Sequence, residues 1–414
     1  MPFISRLQST LFRGRHAILW AVSCWLAYRE ASLSLHYAAR CCEIIVHPVQ
    51  ASLVAFTNDS RDGVSPHKSL SKHGIPAKSQ TRITPRDDAL LFHLIFTTDV
   101  DKFTTLNLRT IESIFFHHPK ATVIIHWSSK YFRLFDNTPP LAPLQQLQDL
   151  GYDLTVRPYT TAEILKETLQ YTDDTVVNRT LAEDWMSQIH TKWVHEEFWD
   201  NNESNLVRVC LLFLQGGIYL DTDAVLTQPL DTAAFPDNSM AVNEKDHLVA
   251  NFVMKFLHPG NKFLQANLAD FFANYNGRKF GHNGVKSFGR TIQANPDLIC
   301  PHLPAGMRWP TRRQSPDATE PCWFQPLPRR MFTAVPYNAW DYVCFDDDSS
   351  SSSHDDEEFQ ALRDNPLATL QDPAVYVIHL NNYVTNKLFA RQAYVKGSLC
   401  DLTFRKYCIV CTEV

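Results

Sequence analysis

From about residue 90 onward, short apolar runs alternate with segments of helical periodicity. The segment 89–98, ALLFHLIFTT, is a continuous apolar run, which is typical of a strand buried on both faces. Apolar residues then recur at helical spacing over 104–118, and 121–127, ATVIIHW, is a second strand-like run. A strand, a helix and a strand of these lengths predict a βαβ unit. We therefore expect an α/β fold with a central, mostly parallel sheet flanked by helices.

A second pattern occupies residues 204–226, SNLVRVCLLFLQGGIYLDTDAVL. Its first half predicts a helix, and Gly216 suits the position after a helix where a left-handed conformation is needed. The short apolar run 218–220 then predicts a strand that delivers Asp221 and Asp223 to its carboxyl end. Five apolar residues share one stripe of the helix: Leu206, Val209, Cys210, Phe213 and Leu214.

Asp221 and Asp223 are the candidate metal ligands. Because alternate residues of a strand face the same side, we expect both carboxylates to reach one ion. Paired carboxylates suit Mn²⁺ or Mg²⁺. The Asp-x-Asp triplets at 99–101 and 346–348 lack the helix, glycine and strand context. The second of them lies in an acidic, serine-rich segment, for which we predict a disordered loop at about 346–358.

The stretch SNLVRVCLLFLQGGIYLDTD resembles the signature of the DXD-containing glycosyltransferases grouped as family 32. The segments FTTDVDKFTTLNLRTIESIFFHHPKATVIIHW, NYNGRKFGHNG and AVYVIHLNN resemble parts of its α1,4-galactosyltransferase and α1,4-N-acetylglucosaminyltransferase group, so the resemblance runs from about residue 90 to about 386. It implies a GT-A-type nucleotide-sugar-binding fold. It also implies a metal-dependent enzyme that transfers a hexose, galactose or N-acetylglucosamine favoured, from a UDP-sugar to a glycan or glycolipid acceptor with retention of configuration.

Three alternatives stay open. The first is a mannosyltransferase of the same fold that uses GDP-mannose, and the second is a catalytically silent protein that binds a nucleotide-sugar. The third is a metal-dependent hydrolase that uses the same two aspartates.

The resemblance also implies roles for residues outside the aspartate pair. Arg208 occupies the arginine position of the family's Asp-x-x-Arg motif and is expected to be a catalytic, donor-side residue; an ion pair with Glu203 or Asp221 is the alternative. Asn205 stands where the family has aspartate, so either it binds a sugar hydroxyl as a neutral amide or it caps the helix. His379 is placed as a third metal ligand or phosphate contact, a structural histidine being the alternative.

Further donor-binding candidates come from sheet geometry and from the resemblance. Asn251 corresponds to a donor-side segment of the family, and His282 and Asn283 form a polar loop that either faces donor or acceptor or is a plain turn. Ligands of open α/β sheets bind beyond the carboxyl ends of strands. We therefore expect the nucleotide base and ribose at the end of the first strand: Phe96, Thr97 and Thr98.

Composition and short motifs reduce the number of protein classes to which the chain could belong. A chain of 414 residues with 44% apolar residues can bury one large core or two small ones, and a net charge of −5 gives no electrostatic case for nucleic acid. Neither GxGxxG nor GxxxxGK[ST] occurs, which argues against a Rossmann dehydrogenase or a P-loop kinase. Cys300 with Cys322, and the cluster Cys400, Cys408 and Cys411, are candidates for disulfides in an oxidising lumen, buried thiols being the alternative.

The chain is predicted to have three parts. Residues 1–57 contain an apolar run at 17–28, which is shorter than the about 17–25 residues of a membrane-spanning helix and closer to the core of a secretory signal. An amphipathic or buried helix is the alternative for this run. Residues 58–88 are polar and predict a stem or linker. Residues 89–414 form the predicted glycosyltransferase domain, and the resemblance implies a type II membrane protein of the Golgi lumen.

Overall fold

The computed structural model describes residues 89–132, 141–242, 248–300, 322–332, 340–345, 363–381 and 394–411. All of these belong to one compact unit, residues 79–414. The apolar run at 17–28, the polar segment at 58–88 and the acidic segment at 346–358 lie outside the described residues. Across the described part of the chain, no helix is long and apolar enough to cross a membrane.

Three parallel strands with helical crossovers begin the fold. β1 (Leu91–Phe96) pairs with β2 (Thr122–Ser128), which pairs with β3 (Asp153–Tyr159). α1 (Thr105–His117) connects β1 to β2, and α2 (Ala142–Asp149) connects β2 to β3. The predicted βαβ unit is confirmed, and β1 is buried along its whole length as its apolar run predicted.

The predicted helix before the aspartate pair is α5 (Trp199–Gln215), the third helix after β3. It is buried on almost all sides between Asn202 and Phe213, not along one stripe only, because it lies between the sheet and other helices. It ends before Gly216, whose φ of 70° is in the left-handed region. A Cβ at Gly216 would collide with the carbonyl oxygen of Leu257, so the close packing here also requires glycine.

The remaining strands complete a mixed sheet. β4 (Gly217–Leu220) is parallel to β1 and antiparallel to β7 (Val249–Phe256). β6 (Ser239–Val242) is antiparallel to β7 and parallel to β8 (Gln325–Pro328). Among the described residues the order is β3-β2-β1-β4-β7-β6-β8, in which only β7 runs against the others. The predicted α/β fold with a mostly parallel sheet is confirmed, and it agrees with the GT-A-type expectation.

Helices cover both faces of the sheet. Ile218 and Leu220 of β4 pack in the layer that contains α1 and α2, whereas Tyr219 points to the opposite layer with α5. That opposite layer also contains four further helices: α3 (Thr161–Tyr171), α4 (Arg179–Ser187), α6 (Lys262–Asn274) and α7 (Val285–Ala294).

A third, smaller cluster lies beyond β4. The short strand β5 (Ala224–Leu226) pairs antiparallel with β9 (Val377–His379), and Val225 and Ile378 join this cluster. Three helices contribute further members of the cluster: α8 (Trp340–Phe345), α9 (Pro366–Gln371) and α10 (Leu399–Lys406).

Three disulfides lie among the described residues. Cys300–Cys322 confirms the predicted pair. Cys400, Cys408 and Cys411 all form disulfides, as expected for this cluster. Cys400, in the first turn of α10, pairs with Cys344 of α8, a cysteine that the sequence analysis did not single out. Cys408 and Cys411 follow that helix and pair with each other.

Candidate active site

The two aspartates lie in a turn between β4 and β5. The strand ends at Leu220, and the N–H of Ala224 donates to the carbonyl of Asp221 at 3.1 Å, which closes the turn. Asp221 and Asp223 therefore converge because the chain folds back, and not because they alternate along one strand as the sequence predicted. One ligand atom each from Asp221, Asp223 and His379 lie within 4.8 Å of one another.

Both ends of this turn are anchored by backbone hydrogen bonds. The N–H of Asp221 donates to the carbonyl of Phe252 in β7 at 2.8 Å. The carbonyl of Asp223 accepts from the N–H of Leu380, directly after β9, at 2.7 Å. The main sheet and the small β5–β9 sheet thus fix the two carboxylates relative to each other.

Helix α1 holds the middle of the turn. The carbonyl of Thr222 accepts from Nδ2 of Asn107 at 3.0 Å and from Oγ1 of Thr110 at 3.1 Å. Asn107 is itself fixed, because its Oδ1 accepts from the backbone N–H of Thr104 at the start of the helix, at 2.8 Å. The first two turns of α1 therefore both begin the helix and clamp the aspartate turn.

His379 completes a group of two carboxylates and one imidazole. The β5–β9 register places it opposite Ala224, with Nε2 3.1 Å from Oδ1 of Asp223 and 4.0 Å from Oδ2 of Asp221. Its ring stacks on Phe252 with centroids 4.2 Å apart. Burial disfavours the imidazolium, but the nearby carboxylates of Asp223 and Asp221 outweigh burial and raise the pKa of His379.

These donor atoms fit a divalent metal ion. Oδ1 of Asp221 is occupied by Arg208 and by the hydroxyl of Tyr219, whereas Oδ2 is the oxygen near His379. Two carboxylates with one imidazole are acceptable to Mn²⁺, and the imidazole makes the set less suited to Mg²⁺.

Arg208 is buried and pairs with the first aspartate. Its Nη1 lies 3.1 Å from Oδ1 of Asp221 and donates to the carbonyl of Asn251 at 2.7 Å. Nη2 donates to Oγ of Ser204 at 2.8 Å, and the guanidinium lies 4.3 Å from the ring centroid of Tyr219. Of the two carboxylates that the sequence left open, Glu203 and Asp221, the ion-pair partner of Arg208 is Asp221. The arginine is both structurally paired and part of the candidate site.

Glu203, the other proposed partner, belongs to a separate buried group. Its Oε1 accepts from the hydroxyls of Ser128 and Thr161 at 3.0 and 2.7 Å. Burial raises the pKa of Glu203, although these two hydrogen bonds act in the opposite direction.

Asn205 lies in the interior of α5, seventh in the helix, so the alternative that it caps the helix is wrong. Its Oδ1 accepts from Nδ2 of Asn251 at 2.9 Å, and its Nδ2 donates to Oδ1 of Asn201 at 3.1 Å. The whole amide lies against Gly284, where an added Cβ would be 2.7 to 2.8 Å from its atoms. The structure therefore brings Asn205, Asn251 and the end of the polar loop together beside Arg208.

The side chains of His282 and Asn283 make hydrogen bonds to nearby backbone groups. The side chain of Asn283 is buried and spans both backbone groups of Asn276, accepting from its N–H and donating to its carbonyl, each at 2.9 Å. Nε2 of His282 lies 2.9 Å from the carbonyl of Asn274. The segment is a turn, as one alternative held, and Gly284 at its end packs against the Asn205 amide.

Two family models match the chain in succession. The glycosyltransferase sugar-binding region containing the DXD motif matches residues 106–244, which include Asp221 and Asp223. The alpha 1,4-glycosyltransferase conserved region matches residues 256–414, which include His379. The chain belongs to the DXD-containing α1,4-glycosyltransferases.

Curated relatives of this glycosyltransferase match over a shorter segment. It is 31% identical over 109 residues to lactosylceramide 4-alpha-galactosyltransferase of Mus musculus, which is 26% of this chain and 28% of the relative. It is 26% identical over 109 residues to alpha-1,4-N-acetylglucosaminyltransferase of Homo sapiens, covering 26% and 30%. The matched segment thus spans less than a third of either relative. A solved structure described as PaToxG glycosyltransferase aligns with a TM-score of 0.35 at 16% identity over 50% of this chain and 70% of that chain, and this score is too low to bear on the fold.

The residues expected to contact the nucleotide base and ribose lie at the carboxyl end of β1 in this glycosyltransferase. The ring of Phe96 is buried against Trp127 and Phe103, so its side chain belongs to the core. The carbonyl of Thr98 accepts from Nε1 of Trp127 at 3.0 Å, and Thr97 is half-buried. β1 pairs with β4, so these residues and the aspartate turn follow neighbouring strands.

Sequence reasoning missed several side chains of the site. Tyr219 could have been found, because it lies two residues before Asp221 and alternation puts both on the α5 side of the sheet. Burial raises its pKa well above the usual value, so the hydroxyl stays protonated and donates to Asp221. Asn107 and Thr110 had no such signal, because they reach the turn from a helix more than a hundred residues earlier.

Proposed function

We propose that this protein is a hexosyltransferase that depends on a divalent metal, Mn²⁺ before Mg²⁺. It transfers galactose or N-acetylglucosamine from a UDP-sugar to a glycan or glycolipid with retention of configuration. The convergence of Asp221, Asp223 and His379 at the carboxyl edge of the sheet carries the proposal. A nucleotide-sugar needs its diphosphate neutralised there, since the chain contains no glycine-rich phosphate loop.

The residues around this group have distinct proposed roles. Asp221, Asp223 and His379 would hold the metal, which supplies Lewis-acid stabilisation of the leaving diphosphate when bound. Arg208 and Tyr219 fix one oxygen of Asp221, which leaves the other directed toward His379. A buried arginine beside the site also contributes positive charge where the diphosphate is expected.

The donor's organic parts are assigned to two flanking regions. Thr97 and Thr98, with the backbone at Phe96, are proposed to contact base and ribose because they follow β1 at the same edge of the sheet. Asn205 and Asn251 are proposed to contact the hexose, because their linked amides lie next to Arg208.

Two other functions use the same geometry. GDP-mannose would be the donor if the base and hexose contacts favour it. A catalytically silent nucleotide-sugar-binding protein is favoured by one observation, the neutral Asn205 in place of the family's aspartate.

The names of the relatives support the choice of donor and acceptor. They are named as a lactosylceramide 4-alpha-galactosyltransferase and an alpha-1,4-N-acetylglucosaminyltransferase. These names support a UDP-sugar as donor, with UDP-galactose first, and a lactosyl glycolipid among the acceptors to test.

The test is a donor panel of UDP-galactose, UDP-N-acetylglucosamine, UDP-glucose and GDP-mannose, with p-nitrophenyl β-lactoside as acceptor and with or without Mn²⁺. We expect Mn²⁺-dependent transfer from a UDP-sugar, and an α-linked product by NMR. Donor binding without turnover supports the silent protein, and preference for GDP-mannose contradicts the galactosyltransferase assignment. Release of sugar from substrates other than nucleotide-sugars would indicate a hydrolase.

We also propose that the protein acts in the Golgi lumen as a type II membrane protein. The disulfides Cys300–Cys322, Cys344–Cys400 and Cys408–Cys411 support an oxidising compartment. In sealed microsomes the domain should resist added protease until detergent is present. Digestion without detergent would contradict this location.

A further inference from the structure

The loop at residues 276–284 is closed at its base. Asn283 joins both backbone groups of Asn276, and Arg290 of α7, paired with Asp270, approaches the carbonyl of His282 at 3.3 Å. A Cβ at Gly277 would overlap the carboxylate of Glu196, so this glycine lies directly against the segment before α5. The loop is therefore held at several points in a single arrangement.

The tip of this closed loop exposes one aromatic ring. Phe280 is 69% exposed, and its ring lies edge-on to that of Phe198 with centroids 5.7 Å apart. The neighbouring Arg278 and Lys279 are also exposed. A single exposed phenylalanine is ordinary on a protein surface. This one differs because its loop is fixed and its ring is supported by a second aromatic side chain.

Both rings lie close to the candidate donor site. Phe198 is the residue before α5, and Asn205 follows seven residues later, so their backbones are about 10 Å apart at the helical rise. Gly284, four residues after Phe280, contacts the Asn205 amide directly. This separation between Phe198 and Asn205 along the helix is about the length of one or two hexose rings.

We propose that Phe280, supported by Phe198, is the stacking platform for a sugar ring of the acceptor. The apolar face of a hexose packs on an aromatic ring, while the exposed Arg278 and Lys279 offer hydrogen-bond donors to its hydroxyls. Because the loop is already ordered, the acceptor does not have to order it on binding. This inference rests on the proposed function and deepens it, since it assigns the acceptor side of the same site.

The experiment compares Phe280→Ala and Phe280→Trp with wild type, using UDP-galactose and Mn²⁺ with p-nitrophenyl β-lactoside, β-chitobioside and β-galactoside as acceptors. The matched control is Tyr171→Ala, because Tyr171 is also 69% exposed but ends α3. Three quantities are measured: the acceptor KM, the donor KM, and the rate of donor hydrolysis without acceptor.

For Phe280→Ala we expect the acceptor KM to rise roughly two- to tenfold, the range of one aromatic contact, with donor KM and donor hydrolysis unchanged. Phe280→Trp should restore the acceptor KM, and Tyr171→Ala should match wild type. An unchanged acceptor KM in Phe280→Ala, or a parallel loss of donor hydrolysis, would overturn the platform. Failure of wild type to transfer to any of the three glycosides would instead count against the proposed function.

Discussion

The side-chain amide of Asn251 donates to Oδ1 of Asn205 at 2.9 Å, so a strand and a helix are joined beside the buried Arg208. An aspartate at position 205 would keep this acceptor oxygen and add a charge near the arginine. Asn205→Asp should therefore raise kcat/KM for the preferred UDP-hexose by a few-fold to about tenfold, because a charge-assisted hydrogen bond replaces a neutral one.

The donor panel measures this effect, with Asn178→Asp, at the exposed N-cap of α4, as the control. An identical donor profile in Asn205→Asp and wild type would show that position 205 does not contact the sugar.

The two aspartates should differ from carboxylates on the surface in their effect on activity. Asp223 is 8% exposed, and His379 lies beside it, so Asp223→Asn removes the charge of a proposed metal ligand from an enclosed group. We expect transfer to fall by at least about 100-fold and Mn²⁺ binding in calorimetry to weaken in parallel. Asp221→Asn should be severely impaired too. Asp174→Asn, at an exposed ion pair with Arg179, is the control. Mn²⁺-dependent transfer at the wild-type rate in Asp223→Asn would refute the site.

The clamp from α1 predicts a separate effect on metal affinity. Thr110→Val removes a hydroxyl that holds the carbonyl of Thr222 and keeps the side-chain volume. We expect Mn²⁺ affinity to fall about tenfold, as for other groups that orient metal ligands, with less effect on kcat at saturating Mn²⁺. Thr110→Ser should retain most of the affinity. Thr403→Val, at another buried helical threonine, should not change Mn²⁺ binding. Equal affinity in Thr110→Val and wild type would rule out the clamp.

Local sequence was sufficient for the parts of the site that are close along the chain. The apolar run of β1, the periodicity of α1, and the succession of α5, Gly216 and β4 each depend on neighbouring residues and on one glycine conformation. These features place the aspartate pair at the carboxyl edge of the sheet without any long-range information.

Contacts between distant segments could not be predicted in this way. His379 and Asp223 are 156 residues apart, and Asn107 and Thr222 are 115 apart. Their meeting depends on the register of β9 against β5 and on the placement of α1, which periodicity does not specify. Only the family resemblance pointed to His379. The Cys344–Cys400 pair was missed for the same reason, since it depends on how α8 packs against α10.

Two buried histidines predict loss of stability in mild acid. Nδ1 of His93 lies 3.0 Å from Nε2 of His126, and Nε2 of His93 donates to the carbonyl of Gly216 at 2.9 Å. Burial lowers the pKa of His93 from 6.5 to about 4 and lowers that of His126 well below its usual value. Below pH about 6.5 the unfolded chain therefore binds protons that the folded protein does not, and stability falls as pH decreases toward about 4.

His93 alone should account for about 3 kcal/mol of the free energy of unfolding over this range. Urea unfolding at a series of pH values measures it. His93→Gln should show a shallower dependence on pH than wild type, whereas His258→Gln, at a side chain that is 85% exposed, should follow wild type. Equal slopes for His93→Gln and wild type would contradict the assignment.

The disulfides should differ in how much they stabilise the domain. Cys344–Cys400 closes a loop with a sequence separation of 56 and joins α8 to α10, whereas Cys408–Cys411 spans a separation of 3. Loop entropy in the unfolded chain gives about 4 kcal/mol for the first and about 2 kcal/mol for the second. The double variant Cys344→Ala/Cys400→Ala should therefore lower the Tm more than Cys408→Ala/Cys411→Ala. Calorimetry under non-reducing conditions compares them, and an equal or reversed order would mean that the α8–α10 link adds little to stability.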